Sequence, residues 1–316
     1  MESVTGAPAR RVLAAPVLWR GSYASACQVL AAVKRQLTYP VSTYRAYRRM
    51  VSRRARSASH LMVELESYQL LMPGAPDVSA ACELVYPPSC VVPLQELLGV
   101  VGSYQWRLRG VHVPALDARI HPHYGVFAPT RQEYVSLVAE APVPALDVAF
   151  DVGTGTGVLA ALLARRGFAQ VVATDTSPQA VACARDNVDR LGVSQVSVLA
   201  TDLFPPGRAS LVVCNPPWLP GTPRTLLDSA IYDQGMLRRF LAGLPDHLAP
   251  GGEGWLVLSD IAELFGLRTR ADLLRMIADA GLQVVDRLDT RPRHRIRGSL
   301  AKVRAAEVVS LWRLRP

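Results

Sequence analysis

The chain has 316 residues, half of them hydrophobic, so it is long enough to bury a large core and is not a disordered polymer. Its net charge of +9 is concentrated in residues 1–60, which hold eleven Lys and Arg side chains and one acid, Glu2. Residues 61–316 carry 24 basic and 25 acidic side chains. This distribution excludes a uniformly cationic protein, so an anionic partner is expected to contact mainly the N-terminal segment.

The cysteine content and the length of the apolar runs bear on the compartment. The five cysteines are odd in number and include no Cys-x-x-Cys pair, which disfavours a disulfide framework and a zinc cluster. His121 and His123 flank a proline, but no third ligand accompanies them, so no metal site is predicted. No apolar run approaches the roughly 20 residues that a membrane-spanning helix needs. We therefore expect a soluble cytoplasmic protein without a membrane segment.

The first hundred residues contain mainly helix-compatible patterns. Segments with helical spacing of apolar residues, separated by prolines, are 22–36, 42–72 and 78–102. The following segments, 105–109 and 111–120, have the pattern of extended chain. We predict a smaller, mainly helical N-terminal domain over residues 1–104 and a β-linker over residues 105–122.

A second domain is predicted over residues 123–316, where strands alternate with helices as in a mostly parallel α/β sheet. The predicted strands are 148–152, 170–174, 195–200, 210–214, 253–259, 282–289 and 306–314. The predicted helices are 132–140, 157–166, 178–191, 231–248 and 270–280. Because parallel strands end at one edge of a sheet, the loops after them are expected to form a common site.

A glycine-rich turn follows the first strand of this domain. The strand ends at Asp151, and the turn contains Gly153, Thr154, Gly155 and Gly157. Glycines let a ligand approach the backbone, and a dinucleotide site would have the spacing G-x-G-x-x-G. This chain has G-x-G-x-G, and the preceding acid would repel pyrophosphate but suits an ammonium group. The spacing therefore disfavours a nicotinamide-dependent dehydrogenase.

Two further acids follow the next two predicted strands. Asp175, followed by Thr176, is placed to accept hydrogen bonds from ribose hydroxyls, and Asp202, followed by Leu203, could accept one from an adenine amino group. A single aspartate at a strand end more often caps a turn or a helix. Three acids at three successive strand ends instead predict a nucleoside site.

The motif Asn215-Pro216-Pro217-Trp218 follows the fourth strand. The prolines stiffen the loop and leave carbonyl oxygens as acceptors. If Asn215 Oδ1 and the Pro216 carbonyl accept two N–H bonds, they orient a planar nitrogen and stabilise the positive charge that develops when it attacks a methyl group. Trp218 is expected to stack on the planar group. A rigid turn with a core tryptophan is the structural alternative.

These motifs together resemble the class I S-adenosylmethionine-dependent methyltransferases over about residues 123–316. The resemblance implies a Rossmann-like seven-stranded, mostly parallel sheet with an antiparallel last strand, and S-adenosylhomocysteine as the cofactor product. It implies that Asp151 and the glycine turn line the methionine part, that Asp175 binds ribose, and that Asp202-Leu203 meets adenine. The Asn-Pro-Pro-aromatic motif is similar to that of nitrogen-directed enzymes, which act on glutamine, adenine or guanine, with Trp218 where Tyr or Phe is commoner.

The release-factor glutamine methyltransferases are similar in their helical N-terminal domain, β-linker and order of motifs. The segment 127–133 is loosely similar to their Pro-Arg-Pro-Glu-Thr-Glu segment. The candidates on the substrate side of the site are Tyr124, Phe127, Thr130 and Arg131. The acceptor itself, a protein glutamine, an RNA base or a small molecule, stays open.

Two basic segments are candidates for contact with an anionic partner. The first contains Tyr44, Tyr47 and the arginines between residues 45 and 56, which could contact RNA phosphate and bases, although a solvated helix face is the simpler interpretation. The second, over residues 291–304, contains Arg291, Arg293, Arg295, Arg297, Lys302 and Arg304. The alternative to an enzyme is a non-catalytic RNA-binding protein on a methyltransferase scaffold.

Overall fold

The computed structural model describes residues 6–223, 226–292 and 300–316. The chain divides into two compact units, one over Met1–Gln105 and the other over Trp106–Ile296 and Ala301–Pro316. Within the described ranges, no helix is long and apolar enough to cross a membrane. The same residues contain no group of three or more His, Cys, Asp or Glu side chains that could hold a metal.

The N-terminal unit combines helices with a small sheet. Its elements are α1 (Gly6–Ala14), β1 (Val17–Leu18), α2 (Tyr23–Gln36), α3 (Tyr44–Ala58), β2 (Leu61–Glu66), β3 (Gln69–Leu70), α4 (Ser79–Cys82) and β4 (Cys90–Pro93), followed by α5 (Leu94–Arg109). Ser22 and Thr43 accept hydrogen bonds from backbone amides and so fix the starts of α2 and α3. Strand β2 pairs in parallel with β1 and antiparallel with β3 and β4.

Three segments of the first 110 residues differ from the sequence-based expectation. Within residues 78–102, whose pattern is helix-compatible, Cys90–Pro93 forms strand β4. The helix predicted over 42–72 ends at Ala58, and Leu61–Glu66 forms a strand whose buried residues alternate with less buried ones. Met62 adds an apolar residue to the other face of that strand, which made the pattern look helical. Residues 105–109, predicted as extended, continue helix α5, which ends before Gly110 with its φ of 66°.

The second unit alternates strands and helices. Its first part contains β5 (Val111–Val113), a 3₁₀ turn (Pro114–Leu116), β6 (Ala118–Ile120), α6 (Glu133–Glu140), β7 (Val148–Val152), α7 (Val158–Arg165), β8 (Gln170–Asp175), α8 (Pro178–Leu191), β9 (Val196–Ala200) and β10 (Ala209–Cys214). It continues with β11 (Leu219–Pro220), α9 (Leu226–Ser229), β12 (Tyr232–Asp233), α10 (Met236–His247), β13 (Leu248–Ser259), α11 (Ile261–Leu264), α12 (Arg270–Asp279), β14 (Gln283–Thr290), α13 (Ala301–Arg304) and β15 (Val309–Arg315).

Seven of these strands form one sheet in the order β14-β15-β13-β10-β7-β8-β9. Strands β13, β10, β7, β8 and β9 are parallel, whereas β15 is antiparallel to both β13 and β14. The predicted seven-stranded sheet with an antiparallel last strand is therefore confirmed. In register, Asp151 lies beside Ala173 of β8 and Val213 of β10, so the loops that follow these strands meet at one edge.

Both faces of the sheet are covered by helices, as continuous apolar strands require. In β10, Leu211 and Val213 belong to the hydrophobic cluster with α6, α7 and α8, while Val212 and Cys214 belong to the cluster with α10 and α12. This alternation follows from the two-residue period of a strand. Each such fully buried aliphatic side chain contributes about 1.5–3 kcal/mol, so β10 holds the Asn-Pro-Pro loop on a rigid base.

The predicted basic loop over residues 291–304 is described only in part. Arg293, Arg295 and Arg297 lie outside the described residues. Lys302 and Arg304 lie in α13, and Arg304 forms an ion pair of 3.0 Å with buried Glu307. Arg304 therefore has an internal partner.

Candidate active site

A cavity of about 360 Å³ opens where β7, β8, β9 and β10 end. Of the residues predicted from the sequence, its walls contain Phe127, Asp151, Gly153, Thr154, Gly155, Asp175, Thr176, Asp202, Leu203, Asn215 and Pro217. The other candidates, which do not line it, are Tyr124, Thr130, Arg131, Gly157, Pro216 and Trp218. The structure thus brings the predicted nucleoside acids and the acceptor asparagine to one cavity, while the role of each side chain stays a prediction.

Asp151 is a buried carboxylate that holds the glycine turn in place. Both hydrogen bonds that the structure gives it end on Oδ2, one from Thr154 Oγ1 at 2.6 Å and one from the Ala160 amide at 2.9 Å. Burial raises the pKa of Asp151 to about 6, although these two hydrogen bonds oppose the shift. A buried negative charge of this kind favours a cationic ligand.

The three glycines of the turn have positive φ angles but different surroundings. A Cβ on Gly157 would meet Ala184 of α8 at 3.2–3.3 Å, and one on Gly153 would meet Met236 Cε at 2.8 Å. A Cβ on Gly155 would meet no atom within 4 Å. Gly157 therefore serves the packing of α7 on α8, whereas Gly155 leaves open space above the backbone of the cavity wall.

This contrast predicts different results for two alanine substitutions. Gly157→Ala is expected to destabilise the fold by about 1–3 kcal/mol, because it adds a clash to a left-handed backbone. Gly155→Ala is expected to cost only about 1 kcal/mol, but to weaken binding of S-adenosylhomocysteine at least roughly tenfold because its methyl group enters the space for the ligand. Urea unfolding and calorimetry measure the two quantities, and equal stability losses with unchanged binding would contradict the assignment.

Asp175 joins the glycine turn to the next loop. Its Oδ2 accepts a hydrogen bond of 3.0 Å from the Gly155 amide, and its Oδ1 accepts one of 2.9 Å from the Ser177 amide. Burial raises the pKa of Asp175, against these backbone hydrogen bonds. The carboxylate is fixed from two sides and lines the cavity, while its contact with ribose hydroxyls stays a prediction.

Asp202 has a partner that the sequence did not reveal. Arg239 of α10 also lines the cavity and reaches the Asp202 carboxylate with contacts of 2.5 and 3.3 Å. The adjacent Leu203 has a φ of 59°, a left-handed conformation that is rare for a residue with a side chain, and its carbonyl accepts a hydrogen bond from Thr174 Oγ1. The predicted adenine edge of the cavity thus contains a carboxylate, a guanidinium and a constrained backbone.

The loop between β10 and α10 supplies a further part of the cavity wall. Helix α10 was predicted from residue 231 but begins at Met236, because Gly235 has a φ of 104° and Asp233 Oδ1 accepts hydrogen bonds from the Gly235 and Leu237 amides. The Asp-Gln-Gly sequence is a turn signal that could have placed this start. Cavity residues from this segment that sequence reasoning missed are Pro223, Ser229, Ala230, Tyr232, Asp233 and Gln234, with Met236 at the start of α10.

The acceptor motif is held by side chains rather than by the loop alone. Trp218 Nε1 donates a hydrogen bond of 2.8 Å to Asn215 Oδ1. The Arg131 guanidinium lies 4.6 Å from the centre of the Trp218 ring and contacts the carboxylates of Glu133 and Glu307 at 2.9 Å. The structure therefore gives Trp218 partners inside the protein, while its predicted stacking on a planar acceptor stays a prediction.

The raised pKa of Asp151 predicts a pH-dependent stability. The folded protein holds a proton on this carboxyl up to about pH 6, whereas the ordinary value is 3.8. The contribution of the protonated group is therefore complete below about pH 4 and is lost as the pH rises through 6, by a few kcal/mol in order of magnitude. Asp151→Asn keeps an oxygen acceptor without titrating, so the difference in unfolding free energy between the variant and the native protein should change between pH 4 and 7. Parallel curves would contradict this assignment.

Comparison with known proteins shows what the part of the chain that carries this site is similar to. Residues 117–267 match the family model described as the methyltransferase small domain. A proposed protein N5-glutamine methyltransferase of Methanocaldococcus jannaschii is 29% identical over 152 residues, which are 45% of this chain and 75% of that protein. The release factor glutamine methyltransferase of Cereibacter sphaeroides is 33% identical over 180 residues, covering 52% of this chain and 63% of the relative.

A third similar protein is the ribosomal RNA small subunit methyltransferase C of Alcanivorax borkumensis. It is 38% identical over 109 residues, which cover 34% of this chain and 30% of the relative. The chain thus spans less than two thirds of the second and third relatives. The predicted resemblance to S-adenosylmethionine-dependent methyltransferases and the prediction of that cofactor are confirmed by these matches, while the domain bounds 123–316 stay a prediction.

Proposed function

We propose that the protein methylates a planar nitrogen. The proposal starts from residues 117–267, which match the methyltransferase small domain, and from S-adenosylmethionine as the methyl donor. The observation that carries the proposal is the position of Asn215. It follows β10 and lines the same cavity as Asp151, Asp175 and the glycine turn. A hydrogen-bond acceptor for an N–H group thus lies in the cavity that fits the methyl donor.

The residues of the cavity fit S-adenosylmethionine by their charge and by their shape. Asp151 provides a buried carboxylate for an ammonium group, Asp175 a half-buried one for ribose hydroxyls, and Gly155 leaves its backbone open. Arg239 and Leu203 lie at the part of the cavity assigned to adenine. The cofactor supplies a methyl group activated by positively charged sulfur. The protein contributes position and electrostatics.

Asn215, in the cavity wall, orients the acceptor nitrogen through one of its N–H groups. The Pro216 carbonyl, predicted to accept a second N–H bond, does not line the cavity. An amide or aromatic amine is a poor nucleophile, because its lone pair is delocalised. A hydrogen bond from its N–H group to Asn215 becomes stronger as positive charge develops on the nitrogen, and this lowers the barrier. S-adenosylmethionine, held by Asp151, Asp175 and the glycine turn, would supply the methyl group, and the nitrogen that Asn215 orients would give up its proton to water after receiving it. Phe127, 42% exposed and in the cavity wall, offers a surface for the planar group.

The acceptor class follows from the relatives only in broad terms. Their names specify glutamine of a protein and ribosomal RNA as acceptors. We propose an acceptor of one of these kinds, or a small molecule with the same planar nitrogen, and a cytoplasmic location. The residues 1–104, with the linker 105–122, are proposed to select it. The alternative of a non-catalytic RNA-binding protein gains no support from relatives that are all named as methyltransferases.

The N-terminal unit offers a surface for an anionic partner. Helix α3 exposes arginines at intervals of three or four residues, and the segment 6–60 contains no acidic residue. The exposed members are Arg45, Arg49, Arg53 and Arg56. Four cations on one helix face would contact successive phosphates, and their binding would weaken steeply with salt. We propose that this face contacts RNA or another polyanion that carries the acceptor.

A labelling experiment tests the function. The protein is incubated with S-adenosylmethionine labelled in the methyl group and a fractionated cell lysate, and the label is measured in protein, RNA and small molecules. Incorporation on nitrogen in one fraction is expected, and an RNA or ribosome fraction would also be expected to lose label when Arg45, Arg49, Arg53 and Arg56 are changed to Gln. Label on carbon or oxygen alone, or none at all, would contradict the proposal.

A further inference from the structure

The proposed role of Asn215 depends on the orientation of its side-chain amide. The amide can rotate by half a turn and so exchange the positions of its oxygen and its NH₂ group. Only the oxygen accepts a hydrogen bond from an acceptor N–H. In the rotated state, Nδ2 would present hydrogens to the substrate. The reaction therefore needs a contact that distinguishes the two ends of the amide.

Trp218 provides that distinction. Its indole Nε1 is a donor only, and it lies 2.8 Å from Asn215 Oδ1. If the amide rotated, Nδ2 would stand opposite Nε1, and two donors would face each other. An amide oxygen has two lone pairs, so one remains for the substrate. Phenylalanine would remove this donor, and tyrosine would offer a hydroxyl that can also act as an acceptor.

The position of Trp218 is itself fixed by buried charges. Arg131 covers the ring at 4.6 Å, and its guanidinium contacts Glu133 and Glu307, which are 3% and 0% exposed. Glu307 also accepts a hydrogen bond of 2.8 Å from Ser259 Oγ at the end of β13. A cation over an indole adds attraction, and a planar guanidinium can contact a ring and carboxylates together. A continuous series of contacts thus runs from the end of β13 through Glu307, Arg131 and Trp218 to Asn215.

We propose that Trp218 is a positioning residue that sets the orientation of the Asn215 amide, and that Arg131 holds the Trp218 ring in place. This inference rests on the proposed function and deepens it. It replaces stacking on the acceptor by a hydrogen bond within the protein, and it assigns Arg131 to the brace rather than to substrate contact. The cavity wall elsewhere, including Phe127, is then the surface that faces the acceptor.

A double-mutant cycle tests this action through Asn215. Trp218→Phe keeps a ring for Arg131 but removes the donor, and it is expected to lower kcat by roughly 10- to 100-fold. It should leave the affinity for S-adenosylhomocysteine and the Tm nearly unchanged. In an Asn215→Ala background the same substitution should cause no further loss, because the group that it positions is absent. The assay uses the lysate fraction that takes the methyl label, and Gln283→Ala, at an exposed site outside the cavity, is the control.

Nuclear magnetic resonance gives a readout that does not depend on the acceptor. The chain has five tryptophans, and the indole N–H signal of Trp218 is identified by its loss in Trp218→Phe. In Asn215→Ala this signal should shift and exchange faster with water, while Gln283→Ala should leave it in place. Arg131→Lys, which retains the charge for both glutamates, should also shift the signal.

The outcomes separate the two proposals. A Trp218 signal that is unchanged in Asn215→Ala would overturn the positioning role even if methyl transfer is confirmed. Equal losses from Trp218→Phe in the native and Asn215→Ala backgrounds, or a parallel fall in Tm and cofactor affinity, would also overturn it. A shifted signal without any methyl transfer would instead support the contact and contradict the proposed function.

Discussion

Replacing Asn215 with alanine is expected to lower methyl transfer by at least about 100-fold, with the affinity for S-adenosylhomocysteine changed no more than about twofold. The side chain follows β10, whose residues are buried on both faces, and its oxygen is held by the 2.8 Å hydrogen bond from Trp218. Alanine removes the acceptor that stabilises charge on the attacking nitrogen. It leaves the buried carboxylates and the glycine turn intact.

The measurement is turnover under saturating cofactor, with binding followed separately by calorimetry. Gln283→Ala removes an exposed amide outside the cavity and should leave both quantities at the native level. Asn215→Asp is informative beside it, since it retains an oxygen acceptor and should be less impaired than alanine. Turnover within about threefold of the native value in Asn215→Ala would rule out the proposed electrostatic role.

Replacing Asp175 with alanine is expected to weaken S-adenosylhomocysteine binding by roughly 30- to 1,000-fold, or about 2–4 kcal/mol. Two effects combine. The ligand loses an acceptor for its hydroxyls, and the Gly155 and Ser177 amides lose the carboxylate that joins their loops. The second effect should also lower the Tm, because two partly buried amides are left without their partner.

A comparison of variants separates the two contributions. Asp175→Asn retains one oxygen acceptor, so it should restore part of the Tm while binding stays impaired. Asp279→Ala, at the exposed end of α12, is the matched control and should alter neither quantity. Native affinity in Asp175→Ala would show that the ribose lies elsewhere.

The central sheet could be predicted closely because its local and tertiary requirements agree. Strand β7 occupies the predicted residues 148–152, and helix α8 the predicted 178–191. Ser177 and Gly192 bound that helix with a side-chain cap and a left-handed residue, which are signals visible in the sequence. The helix prediction for residues 61–66 was wrong, because their apolar residues fit both the helical period and the strand period. Pairing with β1 and β4 makes this segment a strand.

The residues of the site likewise include some that the sequence could predict and some that it could not. Asp151, Asp175 and Asn215 could be predicted because each follows a buried strand at a position that topology brings to one edge. Arg239 could not, because its approach to Asp202 joins residues 37 positions apart on separate elements. The contact of Arg131 with Trp218 likewise depends on Glu307, which is distant in sequence and buried at the end of the domain.

The sequence by itself determined the sheet, the glycine turn, the acids at the strand ends and the asparagine that follows β10. Each of these depends on a local pattern together with the rule that parallel strands end at a common edge. Only the tertiary structure decided how those groups are held. Trp218 could have faced a substrate or the protein interior, and the buried carboxylates that place Arg131 over its ring direct its N–H to Asn215. Such contacts join distant segments through charge and hydrogen-bond geometry, for which a linear pattern has no signal.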